Sequence, residues 1–350
     1  MSTPSGFFIP DLWAHCPYPA IYHPNGDAVV SESDEWILSR CTGISPSLRR
    51  ELPHLMSGQL AAFCYNSCSD ERLRLVCDFM ITLFLMDDLS DEFKTKETEV
   101  LMDIVMNAME EPNFYRPGIT NGEKHPEVEP DASKLSRDYW ARMRAGAGPE
   151  VQRRIISGVK EYLIAVRQQA DDRRTGNIPE LEKYIEHRRM SSGCRPLFHI
   201  IEYSLDFQLP EEVVNHPLMV RMMDCVNDWV AFSNDIFSFK VEYSRGDKHN
   251  MVAVMMERYK LNIQSSFDRV AALCIEAMKN YRECKAEFPS FGPEVDAQIE
   301  AYCYVMQSWM SGSLAWSFVT PRYLGPRRHE IRKTLWVDLT NQRLRSANGA

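Results

Sequence analysis

The chain has 350 residues, 44% of them hydrophobic, with 40 Lys plus Arg against 49 Asp plus Glu and a formal net charge of −9. A chain of that length and apolarity can bury a sizeable core, so it is expected to be neither disordered nor membrane-spanning, and it holds one large domain or two average ones. The acidic balance excludes nucleic acid as the principal partner, because phosphate backbones call for a positive surface; it leaves room for a small phosphorylated ligand held through metal ions.

Residues 1–31 are rich in Pro and aromatics (FFIPDLWAHCPYPAIYHPNG) and read as an extended arm lying over the surface. The opening MSTPSGFFIPDLW has no basic stretch leading into an apolar one, and no apolar run approaches the ~20 residues of a membrane helix. Ten scattered cysteines, none in a C-x-x-C pair, fit buried free thiols in a reducing compartment. A cytoplasmic chain without stable membrane insertion is expected.

From residue 32 the period is helical nearly throughout. In PEVQRRIISGVKEYLIAVRQQA, Val151, Ile155, Ile156, Val159, Leu163 and Val166 recur at spacings of three and four, one stripe of an amphipathic helix. KETEVLMDIVMNAME and SSFDRVAALCIEAMKNYREC repeat the pattern. Alternating strand patterns are nearly absent. EEPNFYRPGITNGEKHPEVEP, residues 110–130, is the clearest break, but such loops also join helices inside one domain. Motifs on both sides of it must meet, so 32–335 reads as one domain and 336–350 as a C-terminal tail.

FMITLFLMDDLSDE, residues 79–92, runs from an apolar segment into Asp87, Asp88, Asp91 and Glu92. Acidic groups at a helix C-terminus meet partial negative charge and one another. Asp87 and Asp91 share a helix face, where like charges repel unless a cation lies between them. A solvated helix end is the alternative; the burial implied by the flanking residues favours a metal site. Oxygen donors without His or Cys suit Mg²⁺ or Mn²⁺.

Further on, VNDWVAFSNDIFSFKVEYSRGDKHN carries Asn234, Ser238 and Glu242 four residues apart. Each step drifts about 40° on a helix, so amide, hydroxyl and carboxylate point one way. Apolar neighbours such as Ile236, Phe237 and Phe239 weaken the reading of a solvent-facing stripe. Two acidic stations imply a ligand with several anionic oxygens, which calls for the arginine fork. KYIEHRRMSSG offers Arg188 and Arg189; TPRYLG offers Arg322 and Tyr323.

These motifs, with the FFIPDLWAHCPYP arm, DERLRLVCDFM, RGDKHN and LAWSFVTPRYLG, resemble class I terpene synthases and are most similar to fungal sesquiterpene synthases. The resemblance covers nearly the whole chain and implies an all-α, single-domain bundle around an apolar cavity. It implies Asp87 as a ligand of Mg²⁺ with Asp88 and Asp91 supporting, and Asn234, Ser238 and Glu242 holding another ion, about three in all, with Mn²⁺ as substitute. Arg188 would sense the diphosphate; Arg322 and Tyr323 would hydrogen-bond it. Ser191 and Ser192 would fall at a functional helix break before Gly193. Relatives carry a basic residue directly before the last ligand; here Val241 stands there and Lys240 is one place early, assigned to diphosphate binding. Ile81, Thr82 and Leu85 depart from the polar or aromatic residues of the nearest subgroup and are expected at the cavity or its wall.

Diphosphate leaves once its charge is neutralised, and the carbocation left behind needs a dry pocket with aromatic faces. Phe84, Trp316 and Phe79 are the aromatic candidates. The expected reaction is Mg²⁺-dependent cyclisation of farnesyl diphosphate by a monomer or homodimer. Within the group resembled, 1,11 closure through a humulyl cation to a protoilludene-type product is the nearest match. A chain-elongating prenyl diphosphate synthase would need a second Asp-Asp-x-x-Asp where Asn234-Asp235-Ile236-Phe237-Ser238 stands. A non-catalytic divalent-cation or partner-binding protein gives no reason for Arg188, Arg322 and Tyr323.

Overall fold

Where the sequence shows helical period, the computed structural model forms helices. It describes residues 6–92, 95–111, 115, 119–120, 123–124, 128–176 and 178–339; the side chains of 90–92, 95–98, 119–120, 123–124, 173 and 174 lie outside the description. The N-terminal half runs α1 (Gly26–Arg40), α2 (Pro46–Glu51), α3 (Ser57–Cys64), α4 (Asp70–Glu92), α5 (Thr95–Glu110), α6 (Asp131–Ala145) and α7 (Pro149–Thr175). It continues through α8 (Leu181–Ser191), α9 (Cys194–Ser204), α10 (Glu211–Val214) and α11 (Pro217–Arg245). The last third holds α12 (Met251–Tyr259), α13 (Ile263–Ala286), α14 (Pro293–Val319), α15 (Pro321–Leu324) and α16 (Arg328–Thr334). Among the described residues the fold is all-α apart from two short ribbons: β1 (Gly6–Phe8) pairs antiparallel with β4 (Trp336–Asp338), and β2 (Ile119–Thr120) with β3 (Glu123–Lys124).

Local chemistry sets the helix boundaries that matter for the site. Asn250 opens α12 by accepting from the Val252 N–H at 2.9 Å, and Thr320 opens α15 by accepting from the Arg322 N–H at 3.2 Å. Such caps satisfy backbone donors that the first turn leaves unpaired. Pro217, Pro293 and Pro321 stand in the first turns of α11, α14 and α15, where a missing N–H costs nothing. α11 stops at Gly246, whose φ of +80° suits a residue without Cβ.

α11 lies at the centre, packed against α13, α14, α12 and α8; α3 and α14 pack together, as do α7 and α9, and α4 with α1, α3 and α6. One core runs through the bundle, with Trp140, Trp229 and Trp309 fully enclosed. A smaller apolar cluster of Ile37, Cys41, Leu52, Leu55, Ile81, Leu85 and Leu135 supports the outer side of α4. Ile81 and Leu85 therefore face away from the cavity, and Thr82 donates to the Asp78 carbonyl at 2.7 Å; the sequence expectation for these three is corrected. α4 instead turns Leu83, Phe84, Asp87 and Asp88 towards the cavity, at the three- and four-residue spacing of one helix face.

The terminal ribbon crosses the bundle from α13 to α11. The Gln264 side chain holds the Phe8 backbone at both its N–H (2.8 Å) and its carbonyl (3.2 Å), and Lys240 Nζ donates to the Asp338 carbonyl at 3.0 Å. All ten cysteines are free thiols. No helix among the described residues is long and apolar enough to cross a membrane.

Candidate active site

A cavity of about 1200 Å³ opens between α4, α8, α11, α14 and α15. Asp87 and Asp88 reach it from α4, and Arg188 from the last turn of α8. Asn234, Ser238 and Glu242 reach it from α11, Trp316 from α14, and Arg322 and Tyr323 from α15. The two polar faces thus open on one space. Asp91 and Glu92 fall among the side chains outside the described residues.

The α15 pair straddles the two faces. Both terminal nitrogens of Arg322 donate to Asp88 Oδ1 (3.1 and 3.2 Å), and Asp87 Oδ2 lies 3.6 Å away. The guanidinium carbon sits 5.7 Å from the Phe84 ring centroid, a favourable place for a cation. Next along the chain, the Tyr323 hydroxyl accepts from Asn234 Nδ2 at 2.7 Å. Burial pushes the Tyr323 phenol up to about 12, so it stays a neutral hydroxyl near pH 7.

Arg188 answers the other face. Its Nε donates to Asp235 Oδ1 at 3.0 Å and its Nη2 to Asn234 Oδ1 at 2.9 Å. Burial opposes the guanidinium charge, but Asp235 and its neighbours outweigh it and hold the proton more tightly. Asp235 also accepts from the Tyr184 hydroxyl at 2.7 Å and the Met251 N–H at 2.9 Å. Asn250 Nδ2 donates to the Asp235 carbonyl and to Glu242 Oε2, both at 2.8 Å. Sequence reasoning missed Asp235, Tyr184 and Asn250. Asp235 was visible only as the neighbour of Asn234, about 100° around the helix, and nothing local tied Asn250 to Glu242.

The side-chain chemistry of the α11 face fits a hard divalent cation. Desolvation and the nearby Asp235 charge push the Glu242 carboxyl up to about 7, against the opposing pull of Asn250, Arg188 and Ser238. Its stripe supplies an amide and a hydroxyl oxygen and no nitrogen or sulfur ligand, the preference of Mg²⁺ and Mn²⁺. Among the described residues no three His, Cys, Asp or Glu side chains converge as a metal cluster; the candidate set mixes Asn, Ser and Glu.

Two assigned residues lie elsewhere. Lys240 is six positions beyond Asn234, about 240° around α11, and its ammonium is tied to the β4 carbonyl of Asp338; the structure does not bring it to the diphosphate residues. Phe79 is fully enclosed and meets Tyr139 edge-on at 5.2 Å, so it is core and not cavity wall. Phe84 and Trp316 do line the space, edge to face at 5.9 Å. Trp309 and Tyr162 join them, unflagged in the sequence because both sit in ordinary helical stripes. Ser192 lies at the α8–α9 break, with Ser191 and Gly193 beside it, all on the cavity wall.

Residues 78–280 match the family described as terpene synthase family 2, C-terminal metal binding, a span that includes both polar faces and Arg188 but ends before Arg322 and Tyr323. Among solved structures, a substituted form of the SVS_A2 protein from ancestral sequence reconstruction superposes with a TM-score of 0.76 at 19% identity, covering 91% of this chain and 89% of that one. Linalool/nerolidol synthase from Streptomyces clavuligerus superposes at 0.74, with 19% identity over 86% of this chain and 99% of that one. The fold is that of the terpene synthases.

Sesquiterpene synthase Agr3 of Cyclocybe aegerita is 44% identical, covering 97% of this chain and 95% of that protein. Alpha-muurolene synthase of Coprinopsis cinerea is 42% identical over 96% and 78%. The chain belongs to terpene synthase family 2, among the fungal class I sesquiterpene synthases, and is a terpene cyclase. Membership of this metal-binding family carries a dependence on divalent metal.

Proposed function

We propose that the protein ionises farnesyl diphosphate with Mg²⁺, cyclises the resulting carbocation and releases diphosphate. One observation carries this reading: Asp87 and Asp88 on one side and Asn234, Ser238 and Glu242 on the other open on a single cavity, with Arg188, Arg322 and Tyr323 between them. Asp87, with Asp91 on the same helix, and the Asn234–Ser238–Glu242 stripe are the residues that would hold Mg²⁺, or Mn²⁺ in its place. Bound there, the cations would neutralise charge developing on the leaving diphosphate.

The chain's own groups account for the rest. Arg188 and Arg322 present planar forks to phosphate oxygens, and Tyr323 adds a neutral hydroxyl donor. Deeper in, Phe84, Trp309 and Trp316 line the cavity; they exclude water and present π-faces to a passing cation without acting as nucleophiles. The resemblance in sequence supports 1,11 closure to a protoilludene-type product. The 42% identity to a protein named alpha-muurolene synthase supports a second reading, a muurolene-type hydrocarbon.

Incubation of purified protein with farnesyl diphosphate and Mg²⁺, followed by gas chromatography–mass spectrometry, tests the proposal and separates the two products. A cyclic sesquiterpene is expected, with turnover lost in Asp87→Ala and Asn234→Ala while the helical circular dichroism persists. No terpene, or a C20 diphosphate once isopentenyl diphosphate is added, overturns it.

A further inference from the structure

The wall between α8 and α9 is a break in helical backbone, and its geometry has a guard outside the cavity. Gly193 takes φ +74° there, and Ser191, Ser192, Gly193 and Cys194 all line the space. The polar groups that such a break strands are collected by one side chain. Asn227 Nδ2 donates to the Arg189 carbonyl at 2.7 Å, and its Oδ1 accepts from the Ser192 hydroxyl at 2.8 Å. Ser192 Oγ accepts in turn from the Cys194 N–H at 3.1 Å. Asn227 is 1% exposed and is not part of the cavity wall.

Its position on α11 ties the break to the polar face. Asn227 precedes Asn234 by seven residues, only about 20° out of line on the helix, with cavity-lining Ala231 between them. The stripe that bears Asn234, Ser238 and Glu242 therefore continues backwards into Asn227. Arg189 adds a second rivet, donating twice to Asp228 at 2.7 Å. The amide supplies from one planar group both the donor that the Arg189 carbonyl needs and the acceptor that the Ser192 hydroxyl needs. An apolar residue of that size would leave these two groups only their own long contact, Ser192 Oγ to the Arg189 carbonyl at 3.4 Å, and a carboxylate would face the Arg189 carbonyl with no proton to give.

We propose that Asn227 is a positioning residue: through Ser192 and the Arg189 carbonyl it fixes the orientation of the 191–194 break against the substrate chain, and so biases which carbons of the carbocation meet. Ser191 Oγ lies in that wall with no hydrogen-bond partner among the described residues, so its direction follows the backbone that Asn227 holds. A misplacement of about 1 Å can cost ~100-fold in a single step, so a shift of this wall alters the balance of competing ones. Arg188 shares the last turn of α8 with this break, but Asp235 and Asn234 hold its guanidinium from α11, so ionisation is affected less than the fate of the cation. This inference rests on the proposed reaction with farnesyl diphosphate.

The test is a cycle of Asn227→Ala, Ser192→Ala and the double variant, read by product profile, kcat and KM with farnesyl diphosphate and Mg²⁺. In Asn227→Ala the share of acyclic and early-quenched products should rise about fivefold, as loss of a neutral hydrogen bond implies, with KM within about twofold. Ser192→Ala should shift the profile the same way, and the double variant no further, because the two act in series. Should Asn227→Ala not fold, Asn227→Asp, which keeps the volume and one bond, must show the shift instead. A folded variant with the wild-type profile, lowered only in melting temperature, overturns the inference and leaves the proposed function standing. A wild type that makes no terpene removes both.

Discussion

Asp235 is 1% exposed and carries three side-chain contacts, to Tyr184, Arg188 and the Met251 N–H. Removing one partner of a buried pair leaves the other charge uncompensated, a cost of about 3–5 kcal/mol. Asp235→Asn should therefore lower the melting temperature and, by releasing Arg188, reduce kcat/KM at least ~10-fold, measured by thermal scan and diphosphate release. An unchanged kcat/KM would show that Arg188 is positioned without Asp235. Lys240 gives the opposite case. Lys240→Met removes the tie to the Asp338 carbonyl, so melting should fall by a few degrees, the loss of about one hydrogen bond, while kcat stays within about twofold. A collapse of activity in a folded Lys240→Met would restore the diphosphate role read from the sequence.

Helices differ in how closely their partners let them approach. On α14, a Cβ at Gly312 would stand 2.9 Å from Phe63 Cβ and 3.1 Å from the Phe63 backbone carbon on α3. Backbone cannot yield as a side-chain tip can, so Gly312→Ala should cost about 1–3 kcal/mol by overpacking, seen as a lower urea midpoint. Because α14 also carries Trp309 and Trp316, its product profile should shift too; a variant as stable as wild type would mean that the helices part freely. At this scale the sequence was readable wherever one helix determines a face. The stripe Asn234, Ser238 and Glu242 follows from 3.6 residues per turn alone. What spacing could not supply is which side of a buried helix meets the cavity: every residue from Phe79 to Met86 except Thr82 is apolar, and only the cluster around Leu52 and Leu135 shows that Ile81 and Leu85 turn outward. Helical arithmetic does place Lys240 opposite the middle of the Asn234–Ser238–Glu242 stripe, and motif resemblance hid that.

Across the whole molecule, charge buried between helices governs the response to acid. His199 on α9 lies against α7, where Gly158 approaches its ring closely. Burial, with Arg154, Arg195 and Arg153 nearby, pulls its pKa down from 6.5 to about 4. The carboxylates beside those arginines are already engaged, Glu202 and Glu211 by Arg154, Glu211 and Glu150 by Arg153, and Glu161 and Asp224 by Arg195. The unfolded chain takes up this proton more readily than the folded one. The stability His199 contributes is thus complete above pH 6.5 and is lost as pH falls from 6.5 towards 4, on the order of 2–3 kcal/mol. Buried carboxyls work in the other direction: desolvation raises Asp34 to about 6 and raises Glu202, so protonating them in acid favours the folded state. The pH dependence of the wild type alone is a sum of both. Urea unfolding of wild type and His199→Gln at pH 7.5 and pH 4.5 separates them, since the carboxyls are common to the two proteins. The variant should lose less stability than wild type between those pH values; equal losses would mean that His199 accepts its proton in the folded state as readily as in water.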